Sequence, residues 1–254
     1  MSGCKPPIMS RGTSPHPDWY YPLYEMIFAP TRRYTGEAAL INSLVSLRNK
    51  VIEEIGCGTG NHVASFLAYD PAQIVGLDID PEAVQLARDR FAQEPRVQVV
   101  HADGFTRSGP VDIVVAFFSL LQQARDSKTV VDRLQHVASR VARFRATAFI
   151  EFLNIRQYQK DFPAGTHTEI FRQGADVVTI SPEYGPYMSL KYDCVLAGRE
   201  TQYTVEIWPL DLNEVRTIAH SLQLSFGIVP MGGTDRRRWL LELGTPIEPS
   251  SGGH

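Results

Sequence analysis

Three alternating glycines, Gly56, Gly58 and Gly60, follow the apolar segment VIEEI and constrain this chain more than any other feature. Glycine adopts left-handed backbone conformations and has no Cβ, so a ligand can lie directly against the main chain of such a turn. The helix-like segment NHVASFLA comes next, and a helix N-terminus presents free N–H groups. A second strand then ends at Asp78, where a carboxylate can accept both hydroxyls of a ribose. The combination predicts a nucleoside-type cofactor at the edge of a doubly wound sheet.

The spacing of the glycines separates two classes of cofactor. The dinucleotide motif G-x-G-x-x-G would need glycine at position 61 or 63, where this chain has Asn61 and Val63. The segment E-x-G-C-G-T-G, which begins at Glu54, instead resembles the cofactor loop of class I S-adenosylmethionine (SAM)-dependent methyltransferases. The resemblance implies SAM as the cofactor, with its amino-acid end against the loop. A bare β-to-α turn and an NAD site are the alternatives.

Composition limits the class of protein further. The chain has 254 residues, 43% of them hydrophobic, which suits one domain with an embellishment. A formal net charge of −3 argues against a nucleic-acid partner. Three scattered cysteines favour a reducing compartment over a disulfide scaffold. Without an 18-residue apolar run or a leader pattern, we expect a soluble, cytoplasmic protein with no membrane partner.

The order of apolar and amphipathic segments predicts an α/β fold of the Rossmann-like type. Near-continuously apolar strands alternate with helices from residue 50 to residue 152, which indicates a mostly parallel sheet covered on both faces. With a C-terminal hairpin from SFGIVP and RRRWLLEL, we expect a doubly wound, seven-stranded sheet. The segment DLNEVRTIAHSLQL is the last helix and starts at Asp211, a good N-cap.

Two embellishments accompany this sheet. The segments YYPLYEMIFAP and TGEAALINSLVSL predict an N-terminal helical cover over the cofactor opening. From about 166 to 208, alternating β-rich runs broken by QGAD, SPEYGP and AGRE predict a small inserted antiparallel sheet. The domain then covers 18–245, with 1–17 and 246–254 as flexible tails.

The order of motifs resembles a narrower group, the amino-sugar N,N-dimethyltransferases that act on nucleotide-linked deoxyamino sugars. The matching features are YYPLYEMIF, GCGTGNH, GLDIDPEAVQLAR, VVHADGF, the FFS of strand four, an inserted sheet after strand five, and a segment beginning DLNEV. The resemblance covers roughly residues 18–245 and implies a small polar amine as acceptor. Two segments depart from it: RVARFRATAF replaces a P-G-G turn, and Leu120-Leu121-Gln122-Gln123 stands where relatives carry histidine or aromatic residues.

The resemblance assigns three carboxylates to parts of SAM. Asp78 would bind the ribose diol, with Asp80 as a competitor that the N-cap of the next helix explains adequately. Asp103 would accept from the adenine amino group, and its alternative is a turn aspartate before a glycine. Glu54 would face the methionine ammonium, or only brace the loop.

The remaining expected cofactor contacts lie in the same motifs. We interpret Cys57 as a packing residue, and His62 as a cap or support of the glycine loop rather than a base. Aromatic rings after strand four can flank the adenine or the sulfonium, although core packing would also explain them. Besides the three carboxylates, the predicted cofactor set is Gly56, Cys57, Gly58, Gly60, His62, Ile79, Ala102, Gly104, Phe117 and Phe118.

The acceptor side is less defined. Tyr21 and Tyr24 of the N-terminal cover are candidate catalytic residues, because tyrosines of such a cover touch the SAM carboxylate and the acceptor in the family; ordinary packing is the alternative. His167 is the third candidate, and His101 is another possible base. Gln122 and Gln123 cannot take a proton, which favours an amine nitrogen over an unactivated hydroxyl.

Several readings stay open on the sequence alone. Transfer to oxygen or carbon of a natural-product intermediate is the alternative reaction, and a SAM-binding module without activity is the third hypothesis. The sequence shows no metal-ligand cluster where strand four ends, so no metal site is predicted. The inserted sheet offers strand edges through which two copies could pair as a homodimer.

Overall fold

The computed structural model describes residues 34–166, 169–196, 198–231 and 236–245. The first of the two predicted cover helices and both predicted tails therefore lie outside the described residues. Within them, the chain forms two sheets and a set of helices that flank the larger sheet. In this part of the chain, no helix is long and apolar enough to cross a membrane.

The strands and helices have the following bounds. The strands are β1 (Val51–Ile55), β2 (Gln73–Asp78), β3 (Val97–His101), β4 (Ile113–Ala116), β5 (Thr147–Leu153), β6 (Glu169–Gln173), β7 (Asp176–Tyr184), β8 (Met188–Leu196), β9 (Arg199–Ile207), β10 (Ser225–Pro230) and β11 (Arg238–Gly244). The helices are α1 (Tyr34–Leu44), α2 (Asn61–Phe66), α3 (Pro81–Arg90), α4 (Ser127–Phe144), α5 (Ile155–Asp161) and α6 (Leu212–Ser221).

The larger sheet has seven strands in the order β10-β11-β5-β4-β1-β2-β3. The five strands β1 to β5 are parallel, and β11 runs antiparallel to both β5 and β10. The strand order reverses at β1, which lies between β2 and β4. In such a sheet, ligands bind at the carboxyl ends of the strands beside this reversal. The prediction of a doubly wound, mostly parallel seven-stranded sheet is confirmed.

Each face of this sheet has its own apolar core. On one face, buried side chains of α4 and α6 pack against β4, β5 and β11. On the other face, α1, α2 and α3 pack against β1, β2 and β4. The burial of strands on both faces explains why they read as continuous apolar runs.

The second sheet has four antiparallel strands in the order β6-β7-β8-β9, as the prediction of an inserted sheet required. Its inner face buries Val178, Ile180, Met188, Leu190, Cys194 and Ile207. Side chains of α5, among them Ile155 and Tyr158, pack against this cluster. This short helix, which begins after the N-cap Asn154, was not predicted from the sequence.

One predicted turn is shifted. SPEYGP was expected to break the inserted strands, but β7 continues through Pro182 to Tyr184. β6 pairs with β7 only as far as Ile180, so at Pro182 the described neighbour is Leu190 of β8 alone. Proline is tolerated there because it removes a ladder donor only where one side of the strand is unpaired.

Helix α4 ends without the glycine turn of the family. Arg145 is its C-cap in the left-handed conformation, with φ 54°. This conformation destabilises the folded state by roughly 1–2 kcal/mol for a non-glycine residue. For glycine, the loss of unfolded-state entropy on folding destabilises it by about 0.5–1 kcal/mol. We therefore expect Arg145→Gly to raise the free energy of unfolding by about 0.5–1 kcal/mol in urea titrations. Arg145→Ala keeps the strain and should give no gain, and an equal gain from both variants would contradict this reason.

Candidate active site

The three loop glycines are all left-handed, but they are needed for different reasons. Their φ angles are 70° at Gly56, 53° at Gly58 and 85° at Gly60. A Cβ at Gly56 would lie 2.4 Å from the side chain of Leu120, and one at Gly60 would lie 2.4 Å from that of Phe91, so these side chains would have to move. At Gly58, no described atom lies within 4 Å of a Cβ position. Gly58 therefore leaves a space beside the main chain that a ligand can occupy.

Asp78 connects the end of β2 to this loop. Its Oδ2 accepts the N–H of Gly58 at 2.8 Å, and its Oδ1 accepts the N–H of Asp80 at 2.9 Å. Burial raises the pKa of the Asp78 carboxyl, although these main-chain hydrogen bonds act to lower it. Each carboxylate oxygen has two lone pairs, so both can accept a further hydrogen bond.

The two residues that follow Asp78 in the sequence, Ile79 and Asp80, have distinct environments. Asp80 is fully buried and caps α3, because its Oδ1 accepts the N–H of Glu82 at 2.9 Å. Ile79 leaves 56% of its surface exposed immediately beside Asp78. The N-cap that sequence reasoning offered for Asp80 is therefore present, which leaves Asp78 as the carboxylate beside the open loop.

The loop after β3 forms the next part of the site. Asp103 is exposed, and its Oδ1 accepts the N–H of Phe105 at 2.9 Å. This hydrogen bond stabilises the turn before Gly104, which was the alternative role for Asp103. Ala102 donates its N–H to the carbonyl of Asp78 at 2.9 Å, which joins this loop to β2. A Cβ at Gly104 would lie 2.7 Å from Ile55, so this glycine is needed for packing on β1.

His62 is buried under the glycine loop between two carboxylates. Its Nε2 lies 2.6 Å from Oε2 of Glu37, and its Nδ1 lies 3.2 Å from Oε1 of Glu54. A carboxylate oxygen therefore lies beside each ring nitrogen. His62 does not cap α2, whose N-cap is Gly60 without a side-chain hydrogen bond. The support that His62 gives is thus through Glu54, at the strand end that leads into the loop.

The turn after β4 packs on His62. The ring of Phe117 stacks on the His62 ring with a centroid distance of 3.9 Å and an interplanar angle of 14°. Phe118 and Ser119 are both left-handed, with φ 57° and 54°. Such a conformation costs a non-glycine residue roughly 1–2 kcal/mol, and consecutive examples persist only where surrounding contacts fix them.

The contacts that fix this turn come from β5 and from the turn itself. Glu151 Oε2 accepts the N–H of Phe118 at 2.7 Å, and Gln123 Nε2 donates to the Phe118 carbonyl at 2.7 Å. Gln122 is fully buried and holds both ends of the inserted segment. Its Oε1 accepts the N–H of Leu153 at 2.7 Å, and its Nε2 donates to the carbonyl of Trp208 at 3.0 Å. Sequence reasoning missed this role and saw only two glutamines that cannot take a proton.

Cys57 has the environment of a packing residue. It is buried, and a Cβ added to Gly76 would lie 2.9 Å from its sulfur, so the thiol fills the space over β2. Burial, with smaller effects of Glu54 and Asp78, raises the pKa of Cys57 well above its usual range. A thiol held protonated in this way is a poor nucleophile.

The candidate residues of the acceptor side are only partly described. Tyr21, Tyr24 and His167 lie outside the described residues, so their roles stay predictions. His101 is described and exposed, and its Nε2 lies 2.9 Å from the carbonyl of Ile79. Among the residues with described placement, no group of three His, Cys, Asp or Glu side chains could hold a metal ion.

Sequence comparison matches the central part of the chain to a known family. Residues 52–142 match the family model described as a methyltransferase domain. A putative protein N5-glutamine methyltransferase of Methanocaldococcus jannaschii is 29% identical over 115 residues, which are 44% of this chain and 53% of that protein. The chain spans about half or less of the length of the curated relatives that it matches.

Solved structures share the fold over most of the chain. A SAM-dependent methyltransferase from Clostridium acetobutylicum has a TM-score of 0.72 at 10% identity, covering 89% of this chain and 97% of its own. The sugar N-methyltransferase KedS8 from Streptoalloteichus has a TM-score of 0.69 at 14% identity, covering 97% and 99%. SAM-bound CalS10, an amino pentose methyltransferase from Micromonospora echinaspora, has a TM-score of 0.65 at 17% identity, covering 89% and 97%.

The fold and the matched segment define the class. The chain has the class I fold of the SAM-dependent methyltransferases. Residues 52–142 of that fold match the methyltransferase-domain model, and a four-stranded sheet is inserted between β5 and the last helix.

Proposed function

We propose that this protein is a SAM-dependent methyltransferase that transfers a methyl group to an amine nitrogen of a small polar molecule. The observation that carries the proposal is the pair formed by Gly58 and Asp78. A left-handed glycine faces a space that no described residue fills, and its N–H is held at 2.8 Å by a carboxylate at the end of the neighbouring strand. This is a cradle for a nucleoside whose ribose meets Asp78 and whose other end lies along the glycine loop.

The residues around this cradle fit the parts of SAM. Asp78 offers two acceptor oxygens for the ribose hydroxyls, and the exposed Ile79 offers an apolar surface for the adenine ring. Asp103 would accept from the adenine amino group through Oδ2, since its hydrogen bond with the N–H of Phe105 engages Oδ1. Glu54 lies where β1 enters the loop and would face the methionine ammonium. When bound, SAM supplies a methyl group already activated by its sulfonium.

The protein's part in such a transfer is mainly to position the acceptor. Holding a nucleophile about 3–3.5 Å from the reacting carbon, in line with the leaving group, contributes roughly 7–11 kcal/mol. An amine with a pKa of about 8–10 needs only roughly 1.4–4 kcal/mol to lose its proton at pH 7. Positioning therefore outweighs general-base catalysis for nitrogen, whereas an unactivated hydroxyl would need a base or a metal.

The polar side chains nearest the end of β4 support the choice of nitrogen. Gln122 and Gln123 are occupied with main-chain groups, and Glu151 accepts from Phe118 and from Arg238. In the described part of the chain, these side chains hold the turn after β4 through hydrogen bonds, and we do not assign any of them as a general base. Tyr21, Tyr24 and His167 are our candidates for contacts to the acceptor, and a base among them would instead support transfer to oxygen or carbon.

The inserted sheet and the similarity of the fold to sugar N-methyltransferases support a small acceptor of the amino-sugar class. The inserted sheet and the N-terminal cover would close over the carboxyl edge of the larger sheet. KedS8, a sugar N-methyltransferase, has a similar fold over 97% of this chain. The cytoplasmic location and the pairing of two copies through the inserted sheet stay predictions.

The experiment that tests this function measures S-adenosylhomocysteine release with three pools of acceptors, followed by mass spectrometry. One pool holds nucleotide-linked amino sugars, one holds simple amines and amino acids, and one holds phenols and alcohols. We expect methylated product in an amine pool, with the added mass on nitrogen. Product only in the hydroxyl pool would contradict nitrogen as the acceptor, and SAM binding without any product would favour a binding module.

A further inference from the structure

A network of buried and partly buried charges runs from the glycine loop along one face of the larger sheet to β5 and β11. Glu37 of α1 accepts from His62 through Oε2 at 2.6 Å and from Arg238 of β11 through Oε1 at 2.5 Å. Arg238 also donates from Nε to Oε1 of Glu151 on β5 at 2.7 Å. We call the set Glu54, His62, Glu37, Arg238 and Glu151 the ion network.

Within the ion network, Arg238 is the residue that connects Glu37, on the side of the glycine loop, to Glu151, on the side of the Phe118–Ser119 turn. Glu37 and His62 belong to the helices over the glycine loop, whereas Glu151 belongs to the strand beside β4. Burial lowers the pKa of Arg238, but Glu151 and Glu37 outweigh it and raise that pKa above its usual range. A partly buried guanidinium between two buried carboxylates is stable only while all three groups are present, since removal of one leaves an uncompensated charge.

The network ends on the strained turn. The second oxygen of Glu151 accepts the N–H of Phe118 at 2.7 Å, and Phe118 and Ser119 are both left-handed. On the other side of the turn, Arg133 donates to the carbonyls of Leu120 at 3.2 Å and Gln123 at 2.6 Å. Backbone strain that is maintained by several contacts is common at functional sites, where it fixes one conformation of the residues that line the site.

We propose that Arg238 and Glu151 are positioning residues, which hold the Phe118–Ser119 turn left-handed and fix it relative to the glycine loop through Glu37 and His62. The two walls of the cofactor site, which are the glycine loop after β1 and the Phe118–Ser119 turn after β4, then keep one separation. This inference rests on the proposed function, because it takes the space between these walls to be the SAM site. Neither residue would touch the cofactor or the acceptor.

Calorimetric titration of the full chain with S-adenosylhomocysteine tests the proposal. We expect Glu151→Gln and Arg238→Met each to weaken binding by about tenfold, as a coupling between distant sites does. The double variant should lose no more than either single one, because both changes break the same connection. Hydrogen exchange at the Phe118 amide should become faster in both. Glu94→Gln, in an exposed ion pair with Arg96 outside the network, is the control and should bind like the unaltered protein.

A rescue separates positioning from general stability. Adding Ser119→Gly to Glu151→Gln should restore most of the affinity, since glycine adopts the left-handed conformation without strain. A loss of stability alone would lower the melting temperature but leave the dissociation constant of the folded protein unchanged. If Arg238→Met does not fold, Arg238→Lys keeps the positive charge but lacks the planar fork that reaches two carboxylates, and should still weaken binding.

Two results would be read differently. If the unaltered protein binds S-adenosylhomocysteine and the folded network variants bind within twofold of it, the positioning role is overturned while the proposed function stands. If the unaltered protein does not bind S-adenosylhomocysteine at all, the proposed function fails first.

Discussion

Asp78→Ala is expected to weaken SAM binding at least about tenfold while the protein stays folded, because the variant loses acceptors for two ribose hydroxyls. Each charge-assisted hydrogen bond of this kind contributes about 1.5–3 kcal/mol, and water would replace only part of it. The carboxylate also holds the Gly58 N–H at 2.8 Å, so the cradle itself would loosen. Isothermal titration calorimetry gives the affinity, and thermal unfolding followed by circular dichroism shows whether the fold is kept.

The control for this variant is an aspartate outside the site. Asp89 lies on the exposed face of α3, and its carboxylate accepts only from Gln85 at 2.9 Å. Asp89→Ala should leave SAM affinity unchanged and should have little effect on stability. An Asp78→Ala protein that binds SAM with unchanged affinity would remove the assignment of the ribose to this residue.

Gly58→Ala is expected to reduce SAM affinity by about tenfold or more, because its methyl group would enter the space assigned to the cofactor. Forcing a methyl into a filled site typically costs about 1–3 kcal/mol, which corresponds to roughly 5- to 150-fold in affinity. The left-handed backbone, with φ 53°, adds a stability cost of roughly 1–2 kcal/mol for any residue with a Cβ. Calorimetry and urea unfolding measure the two effects separately.

Gly174 offers a matched control for the backbone effect. It is left-handed with φ 61°, and no described atom lies within 4 Å of a Cβ position, but it lies in the hairpin between β6 and β7. Gly174→Ala should therefore reproduce the loss of stability without the loss of affinity. Equal affinities for the two alanine variants would mean that the space beside Gly58 is not the cofactor site.

The parts of the site that the sequence predicted are those that local sequence determines. Glycines after an apolar strand favour a left-handed turn because they have no Cβ. A carboxylate that ends the next strand lies at the same edge of the parallel sheet. The predicted sheet followed from near-continuous apolar strands and was confirmed. The inserted sheet followed from turn residues and alternation, and only the turn after β7 was misplaced.

The parts that were missed depend on contacts between distant residues. Arg238 and Glu37 are 201 positions apart, so no local pattern links them. Glu151 lies within an apolar strand, where a carboxylate is unexpected, and only the position of β11 beside β5 supplies its partner. A buried carboxylate in a parallel strand is the one sequence signal that could have pointed to the network, because such a charge requires a partner.

The most direct test of the central claim is calorimetric titration of the unaltered protein with SAM, repeated in the presence of excess NAD. The geometry of Gly58 and Asp78 predicts saturable binding of SAM at one site per chain, with no displacement by NAD. Binding of NAD in preference to SAM, or no heat of binding with SAM, would contradict the assignment of this cradle to a methyl donor.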